Sequence, residues 1–242
     1  MRGKVTEGSH DRDVVRWPKR TVSRMAERLV IIGAGGFGRE VFDVVEAINV
    51  EYETKSAVRF EVLGFLDDGK PDEARLSAYG VRNFGPVSHL EELPPDVGYV
   101  IAIGSSSVRR KIDVYCQTLG RTSPVLVHPT ATMGRKVELG PGTVVCSHVS
   151  MTNHIVVGRH VHLNLNSTVG HDVALGDYVT VFPGATISGA VSLETEVMIG
   201  TGAAVIQGVT IGRGSVIGAA AGVIRDIPAG TTAVGVPAKP RA

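Results

Sequence analysis

Residues 145–186 read VCSHVS MTNHIV VGRHVH LNLNST VGHDVA LGDYVT VFPGAT, and each group of six begins with an aliphatic residue or methionine. The same spacing extends on both sides, from Val127 to Val223, without a missed position. Because 43% of the chain is hydrophobic, seventeen consecutive matches would arise by chance about once in a million in a given frame. The six-residue period is therefore a property of the fold.

A period of six fits neither an amphipathic helix nor a strand with alternating faces, but it fits a short strand followed by a turn. Small or β-branched residues two positions before each aliphatic residue, such as Ala131 and Val137, face the same interior. Glycine recurs directly after the aliphatic residue, as at Gly134 and Gly140, where we expect it to supply the positive φ of the turn. The pattern predicts a parallel β-helix with three sides, eighteen residues per coil and between five and six coils up to Pro228.

Composition and charge exclude several classes of protein. The 242 residues carry a formal net charge of +1 without a basic stripe, which argues against nucleic acid as the main partner. Cys116 and Cys146 belong to no disulfide or metal motif, which favours a reducing, cytoplasmic compartment. No apolar run is long enough to span a membrane. Residues 1–27 lack the apolar segment of a secretory signal, and we expect them to be a disordered leader or extension.

Residues 28–120 predict a small α/β domain. A strand at Arg28–Ile32 is followed by GAGGFG at 33–38 and by a helix at Arg39–Ile48. This order places free amides at the N-terminus of a helix, where they can hold a phosphate group.

Polar residues follow the other two strands of this domain. The remaining predicted elements are strands at Phe60–Leu66 and Tyr99–Ile103 and a helix at Val108–Leu119. Asp67 and Asp68 end the second strand, and their carboxylates can accept hydrogen bonds from a ribose or a base edge. The serines at 105–107 follow the third strand. We expect these groups to share one crevice with the glycine loop.

Three interpretations of the α/β domain are open from these residues. An NAD-dependent oxidoreductase is disfavoured, because a dinucleotide normally needs two mononucleotide-binding halves and about ninety residues provide only one. One half is enough for a mononucleotide or a nucleotide sugar. In the third interpretation the domain is a structural cap whose glycines only permit tight packing.

Three histidines spaced by six residues, His148, His154 and His160, suggest a metal cluster at first sight. In a three-sided coil, residues six apart occupy equivalent places on three different corners. These side chains therefore diverge within one chain, and we predict no metal site.

His171 is the strongest candidate for a catalytic residue. It lies two positions after Val169 and so projects outward from a corner, and Asp172 beside it can fix the imidazole tautomer and raise its basicity. Gly189, eighteen residues later, lies one coil above, where its amide can bind a developing oxyanion. Asn164 occupies a turn position usually taken by glycine, where we expect it to adopt positive φ. A surface histidine without a function is the alternative for His171.

Several motifs together resemble a known family. The motifs are HLN at 162–164, GHD at 170–172, GD at 176–177, GVPAK at 235–239, GGF at 35–37, FLDD at 65–68 and AIG at 102–104. They are similar to those of the left-handed β-helix sugar acetyltransferases. The branch concerned groups sialic acid O-acetyltransferases with bacillosamine-type nucleotide-amino-sugar N-acetyltransferases.

The resemblance implies a half-Rossmann (βαβαβ) domain followed by a left-handed β-helix at residues 121–242, in a homotrimer with acetyl-CoA between neighbouring solenoids. It implies that His171 is the general base beside Asp172. Asn164 would orient the reacting groups, and Gly189 would offer its amide to the thioester oxygen. The residues implied to bind acetyl-CoA are Thr180, Gly189, Gly200, Thr201, Ala219 and Lys239. Those implied to hold the nucleotide part of the acceptor are Gly35, Gly36, Phe37, Asp67, Asp68 and Ser107.

The chain departs from this family at two places. Some relatives have a second histidine nine residues after the base, where this chain has Thr180. His162, eighteen residues before Thr180, is a candidate for a replacement imidazole. The loop after the third strand, which often carries Asn or Asp in relatives, has serine at 105–107.

The predicted function is acetyl-CoA-dependent N-acetylation of a nucleotide-linked 4-amino-deoxy sugar, without a metal and without a covalent enzyme intermediate. O-acetylation of a sugar hydroxyl, such as that of a sialic acid, is the alternative within the same enzyme class. A non-catalytic trimeric scaffold that binds a nucleotide is the alternative from another class.

Overall fold

The computed structural model describes residues 26–53 and 59–241, which form an α/β domain followed by a parallel β-helix. The predicted leader therefore lies outside the described residues, apart from residues 26 and 27. The α/β domain contains strands β1 (Glu27–Ile32), β2 (Phe60–Leu66) and β3 (Gly98–Ile101), helices α1 (Gly36–Glu53), α2 (Glu73–Ala78) and α3 (Ser106–Thr118), and a 3-10 helix at Val87–Glu92.

The strands of the α/β domain form a parallel sheet in the order β2-β1-β3. Val41, Val45 and Ile48 recur at helical spacing on α1 and pack with Leu29 and Ile31 of β1 in one buried cluster. Because β1 is central and the chain crosses to opposite sides of it, the carboxyl ends of β1 and β3 border a crevice at a topological switch point.

The boundaries of four predicted elements differ from the structure. The observed and predicted ranges are Glu27–Ile32 against Arg28–Ile32 for β1, Gly36–Glu53 against Arg39–Ile48 for α1, Gly98–Ile101 against Tyr99–Ile103 for β3, and Ser106–Thr118 against Val108–Leu119 for α3. Helix α1 starts early because the glycine loop already makes helical hydrogen bonds, with Arg39 N donating to Gly35 O. Strand β3 ends early because the Ile103 carbonyl accepts from Arg109 instead of a strand.

The β-helix has three flat faces, as predicted, and residues eighteen apart pair in parallel register, such as Thr168 with Thr186. The first face contains Leu126–Val127, Val144–Val145, His162–Leu163, Thr180–Val181, Met198–Ile199, Val216–Ile217, Thr232–Val234 and, antiparallel to it, Lys239–Pro240. The second face contains Thr132–Met133, Ser150–Met151, Thr168–Val169, Thr186–Ile187, Ala204–Val205 and Gly222–Val223. The third face contains Val137–Leu139, Ile155–Val157, Ala174–Leu175, Ser192–Leu193 and Thr210–Ile211.

The interior of the β-helix is filled by the aliphatic residues that set the period. Every sixth residue from Val145 to Val223 is buried. In the first coil, which has a neighbouring coil on one side only, Met133 exposes 42% of its surface. We call the turns between successive faces the first corner (first to second face), the second corner (second to third) and the third corner (third to first).

The predicted source of positive φ in the turns was wrong. Positive φ occurs three residues after the aliphatic position, for example 58° at Asp172, and not at the glycine directly after it. Glycine is needed there for another reason: a Cβ at Gly170 would lie 2.6 Å from Gly189 N in the coil above. Asn164 likewise lacks the positive φ predicted for it, and the asparagine in the left-handed region is Asn166, with φ of 58°.

The α/β domain covers one face of the β-helix. The outward side chains of the first face are buried beneath it in four successive coils, namely Leu126, Val144, His162 and Thr180. Outward side chains of the other two faces, such as Thr168 and Ala174, remain exposed. The second corner therefore stays open on this chain.

Candidate active site

The second corner carries an imidazole fixed by a carboxylate. His171 Nδ1 lies 2.8 Å from Asp172 Oδ2, and both side chains are more than half exposed. Asp172 can direct its carboxylate at the ring because its backbone adopts the left-handed conformation. An ionised carboxylate only accepts hydrogen bonds, so Nδ1 carries the hydrogen and Nε2 keeps its lone pair. Nε2 is therefore free to accept a proton.

The His171 ring lies across Gly189 of the coil above. A Cβ built on Gly189 would lie 2.5 Å from both Cε1 and Nε2 of the imidazole, so only glycine leaves enough space for the ring in this position. The Gly189 N–H donates to no acceptor among the described residues. The structure thus brings His171, Asp172 and Gly189 together at one corner.

Two equivalent amides elsewhere in the β-helix show what this N–H can do. The amides of Arg159 and Arg213 follow their aliphatic residues by two positions, as Gly189 does. Arg159 N donates to Asp177 Oδ1 at 2.9 Å, and Arg213 N donates to Glu194 Oε2 at 2.8 Å. A corner amide in this position can therefore bind a negatively charged oxygen.

Other predicted site residues lie at the first corner and not beside His171. Asn164 is buried, and its Nδ2 donates to Val181 O at 2.9 Å. Gly200 lies close beneath the next coil, with Thr201 and Ala219 exposed at its side. The second face separates these residues from His171, so one chain alone does not bring the two sets together.

Lys239 lies at the end of the β-helix, beyond the last coil. The strand Lys239–Pro240 runs antiparallel to Thr232–Val234, and the Lys239 side chain is exposed. Because this strand belongs to the first face, the Lys239 side chain does not lie at the second corner of the same chain.

Thr180 and His162 lie in the interface between the two domains. Thr180 exposes 1% of its surface, and its Oγ1 accepts from Arg109 Nη2 at 2.8 Å. His162 Nε2 donates to Ile101 O at 2.9 Å, and its ring packs on Phe37 at a centroid distance of 4.8 Å. Burial, together with the nearby charge of Arg109, lowers the pKa of His162 well below its usual value. Neither residue faces the open second corner of this chain.

The carboxyl ends of the three parallel strands lead into the glycine loop, into Asp67 and into the loop before α3, which contain most of the predicted acceptor-binding residues. Gly35 and Gly36 are exposed, and a Cβ on Gly35 would meet no atom within 4 Å, so a ligand can approach this backbone. Ser107 is exposed in the first turn of α3. Phe37 turns away from the loop to pack on His162.

The two carboxylates after β2 have separate backbone partners. Asp67 Oδ2 accepts from Ala34 N at 2.7 Å and Oδ1 from Gly69 N at 2.8 Å, which ties this carboxylate to the glycine loop. Asp68 Oδ1 accepts from Val87 N at 2.8 Å and so holds the start of the 3-10 helix. Asp67 is therefore held beside the glycine loop, whereas Asp68 is hydrogen-bonded to the 3-10 helix.

A buried polar cluster, which was not predicted from the sequence, joins the two domains. Asp113 of α3 is inaccessible and accepts from Tyr99 Oη at 2.6 Å, Tyr178 Oη at 2.5 Å and Arg159 Nε at 2.6 Å. His160 Nε2 lies 2.8 Å from Asp113 Oδ1. Burial by itself would favour the neutral acid, but the hydrogen bonds from these groups hold the pKa of Asp113 well below its usual range. Three of the four buried residues of α3, namely Ser106, Arg109 and Asp113, are polar, so the hydrophobic spacing of this helix does not reveal the cluster.

The part of the chain that the structure describes was compared with two kinds of site, a metal centre and a membrane-spanning helix, and contains neither. Within 26–53 and 59–241, His, Cys, Asp and Glu side chains do not gather in threes in a way that would hold a metal ion. In the same ranges, every helix is too short or too polar to cross a membrane.

Comparison with known proteins places the chain in a family. A family model described as the PglD N-terminal domain matches residues 28–114. GDP-perosamine N-acetyltransferase of Escherichia coli O157:H7 is 30% identical over 157 residues, which are 64% of this chain and 66% of that protein. UDP-N-acetylbacillosamine N-acetyltransferase of Bacillus subtilis is 34% identical over 126 residues, which are 49% of this chain and 51% of that protein. The chain thus spans just under two thirds and about half of these two relatives.

Solved structures match over a larger part of the chain. The acetyltransferase domain of PglB from Neisseria gonorrhoeae is 34% identical, with a TM-score of 0.79, over 89% of this chain and all of that domain. This chain belongs to the left-handed β-helix sugar acetyltransferases. PerB from Caulobacter crescentus, solved with CoA and GDP-perosamine, is a further member at 28% identity and a TM-score of 0.79, over 92% of this chain and all of that one.

Membership in the sugar acetyltransferase family confirms two predictions. The family resemblance drawn from the sequence motifs was correct. The fold class, an N-terminal α/β domain followed by a left-handed parallel β-helix, is confirmed as well.

Proposed function

We propose that this chain transfers an acetyl group from acetyl-CoA to the amino group of a nucleotide-linked 4-amino-deoxy sugar. The observation that carries the proposal is the His171–Asp172 pair lying against Gly189 at an open corner. Relatives named as N-acetyltransferases of GDP-perosamine and UDP-N-acetylbacillosamine support the substrate class. The PglB domain solved with acetyl coenzyme A supports the acetyl donor.

In the proposed reaction the acceptor amine attacks the thioester carbonyl directly. His171 Nε2 removes a proton from the nitrogen as the C–N bond forms, and Asp172 stabilises the resulting imidazolium. The carbonyl oxygen becomes negative in the tetrahedral stage and accepts a hydrogen bond from the Gly189 amide. When the C–S bond breaks, CoA leaves as the thiol with the proton that His171 held.

The state of the two cysteines supports direct transfer without an acyl-enzyme. Cys116 and Cys146 are buried. Burial, helped by nearby carboxylates, raises the pKa of each thiol to about 12. At neutral pH both are protonated and therefore weak nucleophiles.

A homotrimer would complete the site. Asn164, Gly200, Thr201 and Ala219 lie at the first corner and His171 at the second, so the two sets meet only if neighbouring subunits place these corners side by side. The second face between them carries small exposed residues, such as Ser150 and Ala204, which allow close approach of a neighbour. Acetyl-CoA would lie in that groove, with Lys239 near its phosphates.

The test is CoA release from acetyl-CoA with UDP-, dTDP- and GDP-linked 4-amino sugars, with free sialic acid as the contrast. We expect release with one class of amino sugar, and His171→Ala should lower kcat/KM at least about a hundredfold. His154→Ala is the matched control, because His154 is an exposed histidine at the same corner one coil below, bonded to Asn153 Oδ1.

Each outcome of the test separates the alternatives. Release only with sialic acid would indicate O-acetylation. No release with any acceptor would indicate a non-catalytic scaffold. Near-normal turnover by the His171→Ala protein would remove this residue as the base.

A further inference from the structure

Arg109 of α3 is a fully buried arginine that bonds to both domains. Its Nη1 donates to Ile103 O at 2.7 Å, in the loop that follows β3. Its Nε donates to His160 O at 2.9 Å, and its Nη2 donates to Tyr178 O at 2.6 Å and to Thr180 Oγ1 at 2.8 Å. One side chain thus joins the loop to two successive coils of the β-helix.

This guanidinium is buried without a carboxylate partner among the described residues. Asp113, one turn further along α3, bonds to Arg159. Glu196 has a favourable Coulomb interaction with Arg109, but its carboxylate pairs with Arg110. Burial lowers the pKa of Arg109 to about 9, so the side chain stays charged at neutral pH. Burying a charge in this way is costly, and well-packed apolar residues often stabilise a protein equally well.

The bonds of Arg109 determine which way the loop presents its amides. Nη1 holds the carbonyls of Ile103 and, at 3.3 Å, Gly104 toward the protein interior. In a planar trans peptide the N–H points opposite to the C=O, so the amides of Gly104 and Ser105 point away from Arg109. Neither amide has an acceptor among the described residues, and both residues are exposed.

The outward amides lie where α3 begins. The N–H groups of Ser106 and Ser107, in the first helical turn, likewise have no acceptor among the described residues. A Cβ on Gly104 would meet no atom within 4 Å, so this backbone is open to a ligand. The loop therefore offers several N–H donors beside the glycine loop, because a Cβ on Gly33 would lie 2.8 Å from Ala102 O and 2.9 Å from Ile103 Cγ1.

We propose that Arg109 is a positioning residue for the acceptor. It holds the Ile103–Ser107 loop against the β-helix so that the loop amides face the phosphates of a nucleotide-linked sugar. Its buried positive charge adds an attraction for those phosphates. This inference rests on the proposed function and assigns the diphosphate of the acceptor to this loop.

The test compares Arg109→Lys with Arg159→Lys in the full-length protein. Lysine keeps the charge but cannot reach the loop and both coils at once. Arg159 is the matched control, because it also joins the domains, through Asp113 at 2.6 Å, yet its hydrogen bonds do not involve the loop. The readouts are the KM for the acceptor, the KM for acetyl-CoA, the Kd of the corresponding free nucleoside diphosphate and the melting temperature.

We expect Arg109→Lys to raise the acceptor KM and the nucleoside diphosphate Kd at least about tenfold, with the acetyl-CoA KM within about twofold. Arg159→Lys should lower the melting temperature without changing either acceptor constant. Equal changes in both variants, or an unchanged acceptor KM in Arg109→Lys, would overturn the inference. Absence of acetyl transfer by the unmodified protein would instead overturn the proposed function.

A second variant serves if Arg109→Lys does not fold. Thr180→Val keeps the guanidinium but removes one of its acceptors with little change in volume. We expect the acceptor KM to rise about threefold at a constant acetyl-CoA KM, because the guanidinium loses its fixed orientation. A folded Thr180→Val protein with an unchanged acceptor KM would contradict the role of Arg109.

Discussion

Replacing Gly189 by alanine should damage catalysis while leaving the fold intact. The new Cβ would lie 2.5 Å from Nε2 of His171, and ordinary contact begins at 3.4 Å, so the imidazole must retreat by about 0.9 Å. A displacement of about 1 Å in a reacting group costs on the order of a hundredfold in rate. The half-exposed ring can move into solvent, and Gly189 does not have positive φ, so we expect the free energy of unfolding to change by less than about 1 kcal/mol.

The assay is steady-state CoA release, with chemical denaturation of the same preparation. Gly80→Ala is the control, and we expect it to lower the stability of the fold and to leave catalysis unchanged. Gly80 has φ of 69° and open space around its Cβ position, so alanine there strains the backbone by about 1 kcal/mol without touching the site. A Gly189→Ala protein with kcat within threefold of the unmodified enzyme would refute the placement of the base over this glycine.

Two further predictions concern the buried groups. The folded pKa of Asp113 is lowered, so its ionisation stabilises the fold above the ordinary value of 3.8 and this contribution is lost as the pH falls. Asp113→Asn should therefore lower the melting temperature by about 10 °C at pH 7, and the difference should shrink below about pH 4, whereas exposed Asp96→Asn should have little effect. Cys116 and Cys146 should resist iodoacetamide at pH 8 in the folded enzyme, with full activity retained, and react after denaturation; rapid labelling of the native thiols would argue against their burial.

The sequence predicted the β-helix well because its period is local and repeated. A single aliphatic position in six, sustained from Val145 to Val223, is enough to define the interior. The role of the glycines was harder to predict, because Gly170 is required by the approach of the coil above and not by its own φ. A contact between coils depends on the stacking distance, which the spacing of residues along one strand does not reveal.

The candidate site was predictable where it depends on coil register alone. The eighteen-residue spacing of His171 and Gly189 places them at one corner, and the structure agrees. The surroundings of Thr180 and His162 were not predictable, because the α/β domain covers their face. Arg109 was also invisible to sequence reasoning, since nothing in a pattern tells a buried arginine from a solvated one.

The stacking of His171 beneath Gly189 ties the proposed reaction centre to the length of a coil. A single residue inserted between them would turn every later side chain onto the wrong face and separate the imidazole from its amide. Adding a complete coil beyond Val223 would lengthen the prism and leave the contact between His171 and Gly189 unchanged. Proteins built on this plan can therefore change their length within the solenoid only in whole-coil steps, and shorter insertions are restricted to loops that bulge outward from a corner.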